Sequence, residues 1–422
     1  MFTPSSWMEH WQQFLLSHPS LQLPFANYEL PSPSASPEVV ATDEDFWRQV
    51  QALFPKPSGH INLNNGGVCS NMLYVEKAYT HYYSLLNSSP SYFTWKVMEH
   101  GRTLVKEGLA TMLHCDADEI ALFRNASEAL NNAIFGIPLQ AGDEVVACHQ
   151  DYIKCVSSWK QREMREGIRI NWVTIDGTES DEEVITKYRA AITPKTKVMH
   201  VTHVINWNGH ILPAQQLLHE AKKRQLITVL DAAHSFAVLP LPLDELDCDY
   251  MGAALHKWLS GPIAAGCLFI RREQIAATWP LASAVEPRSN SIQKMEEMSI
   301  QVMPNLMGLG FAIEFHFRLS LPLIQARLRY LRQTWTDALQ AIPSVSFRTP
   351  LDEPHCLAIA NFNIEGIEPL ALEQILYDEF GIHTVGFIWP NLSGVRITPN
   401  IYTPIEDIHQ LVKAVQTITA KK

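Results

Sequence analysis

The stretch "GAALHKWLSGP", residues 252 to 262, sets a basic pair, His256 and Lys257, inside a small apolar run. A lysine between Leu255 and Trp258 must reach water along its own stem, pair with an acid, or lose its charge. In the last case the free amine becomes a nucleophile able to form a Schiff base; in the first it is an ordinary surface lysine after a strand. Three more strand ends carry polar residues that a core would not want. "LITVLDAAHS" delivers Asp231 and His234 after an aliphatic run, and an aspartate there is either a helix N-cap or a buried carboxylate with a cationic partner. Lys257 follows Asp231 by 257 − 231 = 26 residues, room for one connection and one further strand, so adjacent strand ends can set acid and amine on opposite sides of one bound ring. "ALFRNASEALNN" ends a strand at Arg124 and starts a helix at Ser127, with Asn125 and Ala126 in the turn. Free N–H groups and the helix dipole bind phosphate at such a place, although capping alone uses the same residues. "HVINWNGHILP" puts Asn206 just after an apolar strand, beside a turn at Asn208 and Gly209.

These positions need a scaffold of strand ends, and the chain supplies one. Apolar runs "EIALF", "DEVVACH", "RINWVTI", "KVMHVTHV", "LITVLDA", "YMGAAL" and "GCLFIRR" alternate with helical segments such as "SEALNNAIFG", "DEEVITKYRAAI" and "AQQLLHEAKKRQ". That alternation predicts an α/β fold with a mostly parallel, seven-stranded sheet, helices on both faces and ligands at the carboxyl ends of the strands. Residues 1 to about 20 read as an amphipathic helix packing on the body or on a partner subunit, and "LPSPSASPEVVAT" as a linker. After about residue 310 a long helix "LPLIQARLRYLRQTWTDALQAI", the strand-like "CLAIANFNI", the helix "PLALEQILYDEF" and the closing "GVRITPNIYTPIEDIHQLVKAVQTI" predict a smaller α+β domain. The expected division is thus an extension over 1–60, a large domain over 61–310 and a small C-terminal domain over 311–422.

Bulk properties narrow the function classes. The 422 residues carry a formal net charge of −11 with acids and bases interspersed, which argues against nucleic-acid or anionic-membrane partners. Seven cysteines, an odd number without CxxC pairs, point to reduced thiols and a cytoplasmic setting. The cluster Cys148, His149 and Cys155 lacks a fourth ligand nearby, so no metal site is expected. The first twenty residues do not read as a secretory signal, and no stretch reaches the roughly 18 apolar residues of a membrane span.

Taken together, the four strand ends describe pyridoxal 5′-phosphate (PLP): a lysine for the aldehyde, an aspartate for the ring nitrogen, a helix N-terminus for the phosphate and polar groups around the ring hydroxyl. The chain also resembles the class V aminotransferases of PLP-dependent transferase fold type I, and among them the isopenicillin N epimerase-like group. The likeness is carried by "INLNNGG", "RNASEALN", "QDYIKCVSSWKQRE", "THVINWNGHILP", "LDAAHSF", "LHKWL" and "GVRITPNIY". It implies Lys257 as Schiff-base lysine and proton shuttle, Asp231 as pyridinium partner, and Tyr152 stacked on the ring. It further implies Asn206 and His234 at the ring hydroxyl, Asn125, Ala126, Ser127 and His256 on the phosphate side, and Arg396 holding a substrate carboxylate. Asn64 and Asn65 would stand near the substrate entrance, and a homodimer would place its cofactor sites at the subunit interface. Two positions depart from the family pattern. Ala254 replaces a frequent phosphate-binding serine, and Met298-Ser299 replaces a Gly-Thr pair that reaches across the dimer, so that Ser299 alone keeps a hydroxyl.

With PLP bound, Lys257 can remove the Cα proton of an amino acid and return it on the same face, and epimerisation then needs a second acid, for which Tyr152 is the candidate. β-Elimination at a C–S bond needs only Lys257 and a leaving group, and transamination needs a pocket accepting two substrates in turn. A cysteine desulfurase needs a nucleophilic cysteine on a loop before the arginine, and residues 357 to 395 contain none. The expected function is therefore amino-acid epimerase or racemase chemistry, with a C–S lyase, an aminotransferase and a non-catalytic dimer of the same fold as alternatives. Tyr92, Phe93 and Trp95 in "SYFTW", with Trp207 and Trp258, are candidates for shaping a pocket for a bulky substrate, or else for core and interface.

Overall fold

The computed structural model describes residues 2–56, 59–298, 301–389 and 392–421. Seven strands form the large sheet: β1 (Ile120–Phe123), β2 (Glu144–Cys148), β3 (Arg169–Val173), β4 (Thr196–Thr202), β5 (Ile227–Asp231), β6 (Tyr250–Ala254) and β7 (Gly266–Ile270), in the spatial order β1-β7-β6-β5-β4-β2-β3. They are the seven apolar runs of the sequence. Strands buried on both faces read as near-continuous hydrophobic stretches, and here successive residues go to opposite cores: Val145, Ala147, Val198 and Val229 to one, Val146, Met199 and Leu230 to the other. Helices Ala126–Gly136 and Ile153–Glu166 cover the first face.

The parallel pairings are β2 with β3 and β4, β4 with β5, and β5 with β6; β7 runs antiparallel to both β6 and β1. The reversal follows from the chain between them. A parallel return needs a crossover of a dozen or more residues, usually a helix, and residues 255–265 form only turns. β1, β2, β4, β5 and β6 therefore end at one edge, while their order switches beside β2, the geometry that opens a crevice.

A second sheet, β8 (Val345–Phe347), β9 (Ala360–Ile364), β10 (Val385–Phe387) and β11 (Gly394–Ile397), is antiparallel in the order β10-β11-β9-β8. Its core contains Trp335, Phe362, Leu376, Ile397 and Leu411, and also Leu63. Ile61–Asn62 pairs in parallel with Ile382–His383, and Asn64 bridges Thr398. The start of the expected large domain thus sits with the C-terminal core, because two paired residues carry too little apolar pattern to be assigned by periodicity. The other expected limit, residue 310, falls inside the continuous helix Met303–Leu319, whose apolar residues pack with the large core. This helix meets Leu321–Gln340 at an 82° bend at Ser320, where φ is 71°. Among the described residues no single helix is long and apolar enough to cross a membrane.

The expected N-terminal helix forms over Pro4–Ser17, entered through a Thr3/Ser6 capping box. It packs on the body: Trp7 and Trp11 are fully buried, and the Trp7 indole donates to the Leu104 carbonyl at 2.7 Å. A Cβ on Gly108 would lie 2.7 Å from the Trp7 ring and one on Gly310 2.2 Å from the Trp11 ring, so both indoles sit in notches that only glycine leaves open. The expected linker is only partly one. Its end folds into a short helix, Pro37–Val40, and Arg327, fully buried, bonds the Ala41 carbonyl and the Glu44 carboxylate. A proline- and serine-rich composition conceals such an anchor because its partner lies some 280 residues away in the chain. Trp11→Ala is expected to cost about 3–5 kcal/mol, read as a lower thermal midpoint, with Gly310→Ala also destabilising because the added methyl has nowhere to go.

Candidate active site

The carboxyl ends of the strands and the edge of the second sheet enclose a cavity of about 660 Å³. Of the residues singled out in the sequence, Asn125, Ala126, Ser127, Tyr152, Asn206, Asp231, His234, His256, Lys257 and Arg396 all line it. Six separate chain segments thus converge on one space. Ser299 lies outside the described residues.

Lys257 follows β6 in a turn, and its Nζ is 2.9 Å from His234 Nε2. Burial pushes its pKa down to about 8, with the Arg396 cation acting in the same direction and Asp231 opposing. Asp231 ends β5, 4% exposed, and accepts the Ala233 N–H at 2.9 Å. Burial raises its pKa against the Ala233 N–H and the Lys257 charge, and no cation is in direct contact with the carboxylate among the described residues. A cationic ring nitrogen would supply that contact.

At the end of β1 the helix begins one residue earlier than the sequence predicts. Asn125 is the N-cap, its side chain accepting from Glu128 N at 2.8 Å, while Ser127 sits inside the first turn. Asparagine at that position reaches the third helical N–H as readily as serine does. The correction leaves the Ser127 hydroxyl and the first-turn N–H groups available to an anion. The turn also passes so close to β7 that a Cβ on Gly266 would lie 2.4 Å from the Asn125 carbonyl carbon. His256 donates Nδ1–H to the Ala265 carbonyl at 2.8 Å and burial lowers its pKa. Between phosphate end and strand ends, Ala126, Ala233 and Ala254 form a small apolar cluster, a floor for a flat ring. Ala254, the departure from the family pattern, is part of that floor.

Four polar atoms of the described cavity-lining residues are buried and have no partner: Trp207 Nε1, Arg396 Nε, and the pair Asn206 Oδ1 and His234 Nδ1. With Nε2 of the neutral His234 ring accepting from Lys257, Nδ1 carries the hydrogen, so this pair offers an acceptor and a donor. A ring hydroxyl between them satisfies both. The lysine, the carboxylate, the helix N-terminus, the alanine floor and this orphaned pair all fit PLP.

Arg396, on β11, is 8% exposed. It donates to the Asn206 carbonyl at 2.8 Å and to Asn64 Oδ1 at 2.9 Å, and burial brings its pKa down to about 10. Asn64 therefore orients the arginine, a role the sequence did not reveal. Asn65 is fully buried with its side chain committed to the Thr398 carbonyl and the Tyr402 hydroxyl, so it braces the loop from behind and does not face the cavity. Two residues sequence reasoning passed over are Gly66, where a Cβ would lie 3.3 Å from the Arg396 guanidinium carbon, and Phe387, which lines the cavity wall beside Trp207. Tyr92, Phe93 and Trp95 do not line the cavity; Tyr92 and Trp95 are about half exposed. Trp258 is buried behind Lys257.

Residues 70–387 match the model of the aminotransferase class V family. The chain belongs to this family. PLP is its cofactor, and its fold is PLP-dependent transferase fold type I. The chain is 26% identical over 395 residues to an isopenicillin N epimerase of Streptomyces clavuligerus, covering 89% of this chain and 99% of that one. It is 25% identical over 404 residues to a cysteine desulfurase of Synechococcus elongatus, covering 88% of this chain and 63% of that one. To a hercynylcysteine sulfoxide lyase of Schizosaccharomyces pombe it is 17% identical over 390 residues, covering 89% and 99%. Among solved structures, the cysteine desulfurase CsdA of Escherichia coli superimposes with a TM-score of 0.77 at 18% identity, covering 88% of this chain and 98% of that one. A C-DES mutant with glycine covalently linked to the PLP cofactor gives 0.76 at 19%, covering 86% and 98%.

The depressed Lys257 pKa has a signed consequence. Below about pH 8 the cofactor-free protein carries a desolvated ammonium that the unfolded chain keeps in water; the penalty shrinks as pH rises through 8 and is gone above the unfolded lysine value of about 10.4. Lys257→Met is expected to melt higher than the parent at pH 7 in the absence of PLP, with the difference closing towards pH 10.5 in thermal scans. Asn64→Ala, which frees one edge of Arg396, is expected to raise KM roughly tenfold with kcat little changed, measured by steady-state kinetics.

Proposed function

We propose that the protein is an amino-acid epimerase or racemase of the isopenicillin N epimerase-like group, working as a homodimer. The observation that carries the reading is that the cavity presents two groups able to hold a proton, Lys257 and Tyr152, together with Arg396. PLP, when bound through Lys257, lowers the cost of removing the Cα proton of an attached amino acid. Arg396, held on two sides by Asn206 and Asn64, fixes the substrate carboxylate. Lys257, with a pKa of about 8, spends an appreciable fraction of its time as the free amine near neutral pH and takes the proton at Cα. Tyr152, whose pKa is raised by burial, keeps its phenolic proton and is the candidate to deliver one from the other side. The similarity to an isopenicillin N epimerase along 99% of its length supports the same reading.

A persulfide-forming desulfurase is disfavoured, since all seven cysteines are buried and Cys356, the last in the chain, is 2% exposed. The second reading is a C–S lyase, supported by the full-length similarity to a hercynylcysteine sulfoxide lyase and by its chemical economy, because one base and a leaving group suffice.

The dimer is supported by a patch next to the cavity. Val68, Leu73, Trp95, Ile263, Met298 and Val302 are each at least 36% exposed. Helix Leu73–Ser88 packs along Met303–Leu319, whose Asn305 holds the Ile263 and Ala264 carbonyls, so these side chains crown one helix pair. Exposed apolar side chains of this kind mark an interaction surface, and Val68 is next in the chain to Gly67, which lines the cavity. Ile263→Asp with Trp95→Glu is expected to halve the mass seen by light scattering; an unchanged mass removes the dimer from the proposal.

Proton NMR in D2O of the PLP-loaded protein with amino acids and cysteine conjugates tests the chemistry. Deuterium at Cα with appearance of the other stereoisomer is expected, and Tyr152→Phe should retain exchange while losing inversion by about 10²-fold or more. Pyruvate, ammonia and a released sulfur species would instead establish the lyase.

A further inference from the structure

On the side of Asp231 away from the cavity lies a layer of buried polar groups that the chemistry above does not use. His200 is fully buried on β4. Thr202 pairs with Asp231 and His200 with Val229 in the β4–β5 register, so His200 and Asp231 project from the same face of the sheet as diagonal neighbours. Cys155 and Trp159, from the helix covering that face, pack over them. One His200 ring nitrogen, the Cys155 sulfur and one Asp231 oxygen all lie within 4.8 Å of one another.

Hydrogen-bond chemistry orders this cluster. The Trp159 indole Nε1–H lies 3.3 Å from His200 Nδ1. Indole can only donate, so Nδ1 must accept and the hydrogen of the neutral ring sits on Nε2. Burial holds the ring neutral, bringing its pKa down to about 4. Nε2 is buried and has no partner. Asp231, meanwhile, is short of donors: one oxygen takes the Ala233 N–H, and the other has only the Cys155 thiol at 3.9 Å, a weak donor. The same three atoms have the spacing of a metal-ligand set, but burial keeps the Cys155 thiol protonated. With a hydrogen on the sulfur and Nδ1 already taken by the Trp159 indole, the set is poorly arranged for a cation.

We propose that His200 is a positioning residue for the cofactor: its Nε2–H, buried without a partner, closes on the nearby Asp231 carboxylate when a cationic ring nitrogen holds that carboxylate ionised, and Trp159 locks the tautomer that makes this possible. The inference rests on Asp231 being the partner of the PLP ring nitrogen. A carboxylate in a dry site stays ionised only if donors surround it. Asp151, a second fully buried carboxyl whose own pKa is brought to about 7, shares this region electrostatically with Asp231, which makes a further donor more valuable. His200 supplies that donor without adding a charge.

Two measurements test this. In cofactor-free protein labelled with ¹⁵N-histidine, long-range ¹H–¹⁵N spectra, with His200 assigned by its loss in His200→Gln, are expected to show the neutral Nε2–H pattern down to about pH 5; an Nδ1–H pattern overturns the proposal. PLP affinity, followed by fluorescence quenching of the apo protein, is expected to weaken roughly tenfold in His200→Leu and to return to within about threefold of the parent in His200→Gln, whose amide N–H reaches the Nε2 position. Equal affinity in His200→Leu and the parent, or a glutamine variant no better than leucine, overturns it. Should the leucine variant fail to fold, the tautomer and the glutamine variant still decide. Asp231→Asn separates the two readings: undiminished PLP affinity there removes Asp231 as the ring partner, whatever the His200 tautomer shows.

Discussion

Three ionisable side chains, Lys257, Asp231 and Arg396, share one desolvated cavity, and none can be placed there independently of the others. Burial alone pushes the lysine and arginine towards neutrality and the aspartate towards its acid form. What decides each outcome is the company it keeps. The Arg396 charge adds to the pressure on Lys257 to give up its proton, while Asp231 restrains it. The sheet makes the arrangement possible, since adjacent parallel strands β5 and β6 end at one edge and fix the spacing of acid and amine. The antiparallel return of β7 follows directly, for the turn after β6 carries Lys257 and the chain must come straight back to close the edge beside Asn125.

Much of this was legible because strands buried on both faces leave a plain signature, a run of aliphatic residues broken by a polar one at the end. All seven large-sheet strands follow from that pattern, and so do the cavity residues Asn125, Ser127, Asn206, Asp231, His234, His256 and Lys257; Tyr152 and Arg396 came from the family resemblance. What escaped was set by partners distant in sequence. Asn64 and Asn65 look interchangeable in "INLNNGG", yet one orients Arg396 and the other is sealed against Thr398 and Tyr402; no local signal separates two neighbouring asparagines. The helix start at Ala126, capped by Asn125, rather than at Ser127 turns on a choice between two good caps. Tyr92 and Trp95 carried the right chemistry for a pocket wall, but both point out to solvent, Trp95 from a π-helical turn whose Phe93, Thr94, Val97 and Met98 are the buried members. At the two expected domain limits, Leu63 and the helix through residue 310 take their places from packing, to which periodicity is blind.

Arg396 ties the two cores together. It is carried by the C-terminal sheet, held by a backbone carbonyl from the segment after β4 and by a side chain from the segment before the large sheet. The Arg396 guanidinium is therefore set in its place only when both cores are seated against one another. Gly66 makes room for this junction, since a Cβ there would crowd both Thr398 and the guanidinium.

The two glycine notches that seat Trp7 and Trp11 have a bearing on how the chain is made. Gly310, which receives Trp11, lies roughly 300 residues after the indole that fills it. At a synthesis rate of about 5–20 residues per second, the helix Pro4–Ser17 emerges from the ribosome roughly 15–60 s before its seat exists. For that interval Trp11 has nowhere native to go, although Gly108, which receives Trp7, is made roughly 100 residues after it. The nascent chain must be shielded, or must fold its middle first and recruit its beginning last, so that the helix closes the structure instead of nucleating it.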